Sequence, residues 1–246
     1  MHRGNTLKAG LDRSLYIGEL PASGWHRHAS PVLLIGLSGR FAIHLPDGRI
    51  ETCHSALIDT GVEHVFDPRG ERVALMYLEP DSKEARSLRA RVRRDGPVIF
   101  DPAMLPVSRS HYESRLDAFD LSALLRRAAP DDAPPLDARV ERSLLSLRML
   151  RDEPLARDDA ASIAHLSASR FNHLFREEMG ISFREYRIWT QIRSAIIGFR
   201  PDGSLTDAAM NGAFADAAHF SRLFRQTFGM TPSSVLKPLK DVTLLR

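Results

Sequence analysis

Two stretches of the chain carry polar side chains at a spacing suited to hydrogen-bond recognition rather than to bond-breaking chemistry. The downstream stretch is Phe220-Ser-Arg-Leu-Phe-Arg-Gln-Thr-Phe-Gly229, and the upstream one is Phe171-Asn-His-Leu-Phe-Arg-Glu-Glu-Met-Gly180. Phe171/Phe220, Leu174/Leu223, Phe175/Phe224, Arg176/Arg225 and Gly180/Gly229 pair at one offset of 49 residues, the mark of a duplicated supersecondary unit. Within each copy, apolar residues at i, i+3 and i+4 define one face of a short helix, and the glycine stands where a helix stops. Asn172, His173 and Arg176, and likewise Ser221, Arg222 and Arg225, then fall on the exposed side. Histidines form the other chemically capable set: His26-Arg-His28 and, further on, His64. Three neutral imidazoles can hold zinc or a similar ion with a fourth position open.

The elements that must position the polar side chains are legible around each copy. Ala161 to Leu166 and then Ser167 lead into the first; Leu205 to Phe214 and then Asp216 lead into the second. A helix, a tight turn and a second helix with a Ser or Asp N-cap make the helix-turn-helix plan, whose second helix lies in a DNA major groove. The chain at this point resembles the AraC/XylS family of bacterial transcription regulators. The resemblance rests on Ala209, the run from Phe214 to Ser234 with its Thr-Pro-Ser exit, and more weakly on Ala161 and the run from Leu166 to Gly180. It covers roughly residues 137–239.

This resemblance implies helix-turn-helix units at about 158–179 and 205–228, with groove-facing positions Ser169, Asn172, His173 and Arg176 in the first recognition helix. In the second they are Ala217, Ala218, His219, Arg222 and Arg225. Arg222 suits a bidentate contact to guanine and Asn172 one to adenine. Ala217 and Ala218 can touch thymine methyls or allow close approach, while Arg176 and Arg225 suit phosphate, which positions without specifying. The plainer alternative for each is a solvated helix face. Phe171, Phe175, Phe220 and Phe224 are core.

Three features depart from the family pattern. Arg157 and Ala160 stand where larger apolar residues are usual, which predicts looser packing of the first unit. His165 occupies a turn position usually given to Gly and must take φ > 0, uncommon for a residue with a side chain. Gly212-Ala213 reverses the usual order before Phe214, which predicts a turn shifted by one residue. Between the units, Ser182-Phe-Arg-Glu185 matches a capping box opening a long helix with Trp189, Ile192, Ile196 and Phe199 on one stripe. In the family this rod fixes the separation of the recognition helices, which reach successive major grooves when about 34 Å apart. Ser204 to Asp207 opens the second positioning helix, Thr231-Pro232 a last short one, and Asp137 caps a helix with Val140, Leu144, Leu147 and Leu150 or Met149 on one face.

From Leu15 to Leu78, short apolar runs such as Val32 to Leu37, Phe41 to Leu45, Ala56 to Ile58 and Val73 to Leu78 alternate with turns, as in an all-β barrel or sandwich. Asp47-Gly48 is a hairpin turn signal. With Gly39 and Gly61 at turns, the stretch is similar to the cupin barrel that often serves as the sensing domain of AraC-type regulators. In metal-binding cupins two such histidines and a third on a later strand converge, with a carboxylate, on a divalent metal. The resemblance makes His26, His28 and His64 candidates for that site, but Ser30-Pro-Val-Leu33 replaces the expected Glu. The alternative is that they line a metal-free effector pocket or hydrogen-bond at its mouth. His44, Cys53 and His54 read as structural or surface residues, since strand neighbours point to opposite faces.

Ser82 to Arg94 contains five arginines and Leu88 and Val92, which predicts a helix with a solvated basic face; direct DNA contact is the sharper alternative. Leu121, Leu124, Leu125 and Ala128 lie at helical spacing within Leu116 to Ala128, a segment that would serve a dimer contact or cover the barrel. Ala129 to Pro135 holds three prolines and two acids and reads as the linker. The expected organisation is an α+β chain: a cupin-like sensing barrel at 1–81, a helical dimerisation or packing segment at 82–128, a linker at 129–136 and an all-α DNA-binding domain at 137–241.

Composition agrees. Before Leu136 there are 18 basic and 18 acidic residues, and from Leu136 onward 16 and 13, so the excess of +3 lies in the half expected to meet phosphate. One cysteine excludes an internal disulfide framework. No apolar run approaches the ~20 residues of a membrane span, and Met-His-Arg-Gly-Asn lacks the apolar core of a signal peptide, so the expected compartment is the cytoplasm. The expected function is a non-enzymatic, sequence-specific regulator that binds double-stranded DNA and a small-molecule effector, as a homodimer, with RNA polymerase a candidate partner. Two alternatives stay open: a metal-dependent cupin enzyme with a helical appendage, and a metal-sensing regulator.

Overall fold

The computed structural model describes residues 4–10, 12–102, 133, 135–149 and 155–244. The N-terminal part is built from β1 (Asn5–Ala9), β2 (Arg13–Gly18), β3 (Val32–Gly36), β4 (Phe41–His44), β5 (Ile50–Cys53), β6 (Ser55–Ile58), β7 (Val65–Asp67), β8 (Val73–Leu78), helix α1 (Lys83–Asp95) and β9 (Val98–Phe100). A last strand, β10 (Leu239–Leu244), follows the C-terminal helices. Seven strands form one sheet in the order β10-β1-β2-β8-β3-β6-β9, and β5-β4-β7 form a second.

The expected barrel is therefore not closed: among the described residues the two sheets are separate ladders. The chain changes sheets between consecutive short strands, at His54 between β5 and β6, so neither sheet wraps round to meet its own edge. The hairpin at Gly48 (φ 88°) forms as expected. The central strands β2, β8, β3 and β6 of the larger sheet are buried on both faces, which explains their unbroken apolar runs. Leu15, Ile17, Leu33, Ile35, Ala74 and Met76 pack beneath Ala85, Leu88 and Val92 of α1. Their neighbours Tyr16, Val32, Leu34, Val73 and Leu75 face the other way, into a core shared with the C-terminal helices.

Those helices are α2 (Ala138–Met149), α3 (Arg157–Ile163), α4 (Ala168–Met179), α5 (Phe183–Ile197), α6 (Leu205–Asn211), α7 (Ala217–Phe228) and α8 (Pro232–Leu236). The capping box at Ser182 and Glu185 is present, and Ser204 with Asp207 makes a second one at α6. Asp137 accepts from the Arg139 amide at the start of α2, and Thr231 caps α8 with Pro232 in its first turn. Val140 and Leu144 are buried as predicted. Ala160 is fully buried against α2, whose Ser143 hydroxyl donates to the Ala160 carbonyl at 2.9 Å; a larger residue there would hold the helices apart. The proposed dimer segment Leu116 to Ala128 and most of the linker lie outside the described residues.

One hydrophobic core runs through both halves, and a row of buried polar contacts crosses the seam. Glu79, at the end of β8, accepts from the Trp189 indole nitrogen at 3.1 Å and pairs with Arg193 at 2.6 Å. The Tyr186 hydroxyl donates to Asp81 at 3.3 Å. Arg89 is buried, not part of a solvated face: its guanidinium donates to the carbonyls of Pro80 and, in α4, of Glu178. Finally β10 pairs in parallel with β1, so a strand beyond the C-terminal helices completes the edge of the N-terminal sheet.

Candidate nucleic-acid interface and interdomain histidine site

The duplicated phrases are helices α4 and α7. Phe171, Phe175, Phe220 and Phe224 are at most 1% exposed, and the last two meet edge-on at 5.6 Å, so the aromatic positions anchor the helices to the core. Ser167 and Asp216 cap them through the amides of Arg170 and His219. Gly180 (φ 74°) and Gly229 (φ 68°) end them in the left-handed conformation, each amide donating to the arginine carbonyl of the last turn. Locked at both ends and along one face, each helix presents a fixed outer edge.

That edge carries most of the predicted side chains. Ser169, His173, Arg176, Ala218, Arg222 and Arg225 are exposed, while Asn172, Ala217 and His219 are half-buried. His219 stands edge-on to Phe214 at 5.7 Å, so part of its ring packs rather than faces outward. His173 pairs with Glu177 at 3.2 Å on its own helix. Helix α4 holds two acids, Glu177 and Glu178, whereas α7 has arginines and no acid, so α7 offers the more favourable field to phosphate. Arg170, exposed in the first turn of α4, is a further donor that the aligned repeat did not single out.

The turns resolve the two departures at their crests. His165 takes φ 54°, as its position demanded. In the second unit Ala213 takes φ 53°, and Gly212 does not, so the left-handed residue still directly precedes Phe214 and the turn is not shifted there. Gly212 serves packing instead: a Cβ would lie 2.6 Å from the Gln191 carbonyl oxygen and from the Phe214 ring. The offset between units is 48 residues for the positioning helices and crests but 49 for the recognition helices, because Ala215 is an extra residue between Phe214 and the Asp216 cap.

His26, His28 and His64 do converge. All three are buried, one nitrogen from each lies within 4.8 Å of the others, and His26 and His64 are joined by backbone hydrogen bonds of 3.1 and 3.0 Å. Each Nδ1 donates to a carbonyl oxygen, of Gly24 (3.0 Å), Ser30 (2.6 Å) and Val62 (2.9 Å) respectively. A carbonyl can only accept, so Nδ1 carries the proton in all three and the lone pairs sit on Nε2; the His28 Nε2 is buried with no hydrogen-bond partner. Burial, with repulsion from neighbouring imidazoles, keeps them neutral: His28 is driven well below the ordinary histidine range and His64 down to about 3. The donor set thus fits a borderline transition ion, with each ring oriented by the backbone carbonyl that its Nδ1 meets. His44, Cys53 and His54 are not part of this cluster.

The cluster is not sealed inside the β domain. It borders a cleft of about 380 Å³ whose other wall includes Arg184, Glu185, Leu223, Gln226 and Thr227 of α5 and α7. Arg27 faces Glu185 across it at 3.8 Å. No sequence signal marked this juxtaposition, because it depends on how the two halves dock.

A helix-turn-helix domain family matches residues 160–238. The arabinose operon regulatory protein of Salmonella typhimurium is 34% identical over 118 residues, 45% of this chain and 41% of that protein. Regulatory protein PocR of the same organism is 27% identical over 112 residues, 44% of this chain and 36% of that protein. The chain thus spans about two fifths of the length of these relatives. ToxT from Vibrio cholerae shares the fold over 93% of this chain and 98% of its own, with a TM-score of 0.62 at 12% identity. The duplicated units, aromatic anchors and glycine stops lie within the stretch that the helix-turn-helix family matches, so residues 160–238 are similar to that family, and the likeness to ToxT is one of fold.

Proposed function

We propose that the protein is a sequence-specific DNA-binding transcription regulator whose N-terminal domain responds to a small-molecule effector. The observation that carries this reading is the pair of aromatic-pinned, doubly capped helices with arginine-bearing outer edges. Ser169, Asn172, His173, Arg176, Ala217, Ala218, His219, Arg222 and Arg225 form the proposed DNA surface, Arg222 reading a base and Arg176 and Arg225 gripping phosphate. A homodimer joined through the segment 82–128, contact with RNA polymerase and a cytoplasmic location belong to the same proposal. Among the described residues, no helix is long and apolar enough to cross a membrane.

The effector site we assign is the interdomain cleft beside His26, His28 and His64. Structures of the ToxT fold include one bound to an unsaturated fatty acid, which supports small-molecule binding by this architecture. An apolar cavity of about 60 Å³, lined by Leu7, Tyr16, Tyr77, Trp189 and Phe228, lies elsewhere in the seam, but the cleft is larger and touches the second recognition helix directly. We read the histidines as a sensing site rather than a catalytic one, since among the described residues no carboxylate joins the cluster as a metal-binding cupin would require.

Selection of bound fragments from random double-stranded DNA tests the proposal. A single enriched motif, bound with an affinity that falls steeply with salt, is the expected result. Failure to enrich any motif, together with metal-dependent turnover of a small substrate, would replace the regulator by the enzyme.

A further inference from the structure

We propose that His26, His28 and His64 take one divalent transition ion and that the second recognition helix senses it through the hydrogen bond between Gly24 and Gly229. The first half rests on the reading of the histidine cluster above; the second concerns contacts this chain makes across its own seam.

One nitrogen of each ring converges on a common space, and the buried Nε2 lone pair of His28 meets no donor among the described side chains. Three imidazoles without a carboxylate select ions such as Zn²⁺ or Co²⁺ over Mg²⁺ or Ca²⁺. Ligation at 2.0–2.1 Å in a tetrahedral set places nitrogens roughly 3.4 Å apart, whereas here they spread over as much as 4.8 Å. Binding therefore requires the rings to draw inward, and the rings are not free to do so independently of their surroundings.

His26 makes that movement consequential. Its Nδ1 partner, Gly24, is also a partner of α7: the Gly24 amide donates to the Gly229 carbonyl at 2.8 Å, at the residue that ends the recognition helix. The fit there is tight. A Cβ on Gly229 would lie 2.4 Å from the Gly24 oxygen, 2.8 Å from Ser23 Cβ and 2.9 Å from His26 Nδ1. Ring, loop and helix end are thus in mutual contact, and His26 cannot pull toward the cluster without altering how α7 is held. By linkage, a ligand that shifts DNA affinity must have its own affinity shifted by DNA by the same factor.

The test uses the full chain stripped with chelator and titrated with Co²⁺, whose visible absorption reports low-coordinate nitrogen ligation. One equivalent should bind, and His28→Ala should abolish the band. In the wild-type protein the ion should slow hydrogen exchange of the Gly24 amide and change affinity for the selected DNA by at least about fivefold, the low end of typical coupling; the chelated wild-type protein gives the comparison without any substitution. Absence of Co²⁺ binding overturns the site and the coupling together. Binding that leaves both Gly24 exchange and DNA affinity unchanged overturns the coupling alone. Should no DNA motif be selected, the regulator reading fails, and the Gly24 exchange still decides between a sensed and an unsensed ion.

Discussion

On the proposed DNA surface, single residues of α4 and α7 divide into those expected to specify and those expected to grip. Arg222 lies on the exposed edge of the helix without acids, and Arg222→Ala is expected to weaken specific binding by ~1–3 kcal/mol and to relax base choice at one position. An unchanged preference in a competition assay would defeat that assignment. Arg225→Ala, one turn nearer the glycine stop, should instead weaken binding to all sequences alike and lower the slope of log affinity against log salt by about 1. The exposed face was legible because the repeat is periodic and the helix has few ways to lie. The partial withdrawal of His219 against Phe214 was not, since periodicity gives a face but not the reach of a neighbouring ring.

Among the elements, the two turns show what a sequence pattern can and cannot carry. The family resemblance placed a left-handed residue at His165, and the turn there takes it. At Gly212-Ala213 composition misled, because glycine serves two purposes and here it answers crowding by Gln191 and Phe214 rather than φ. Ala213→Gly should therefore stabilise the protein, by about 0.5–1 kcal/mol, once relief of the left-handed strain is set against the added freedom of the unfolded chain. Gly212→Ala should destabilise it; denaturant midpoints of the two variants separate these outcomes, and equal shifts would refute the division of roles. The strands were legible as short apolar runs, but whether they closed into a barrel was not, because closure depends on edges that no local pattern records.

For the whole molecule, the seam matters more than either half. Glu79→Ala strips the carboxylate from Arg193, leaving it the Gly10 carbonyl, and the acceptor from Trp189 in a buried setting, which is expected to cost about 3–5 kcal/mol in denaturant unfolding. A loss below about 1 kcal/mol would mean that the pair is solvated and the halves are loosely joined. Nothing in the sequence announced Glu79 as a clamp, since a lone acid after an apolar strand reads as surface; nor could the burial of Arg89 be told from its arginine-rich helix.

The parallel pairing of β10 with β1 means that the backbone crosses from the β-rich half to the helical half and then returns. The two halves are in consequence not beads on a string. A protease site engineered between Ala129 and Pro135, once cut, should leave both fragments migrating as a single particle in size-exclusion chromatography, dissociating only in denaturant. The covalent tie would then be dispensable for holding the halves together, and what passes between them would travel through the seam.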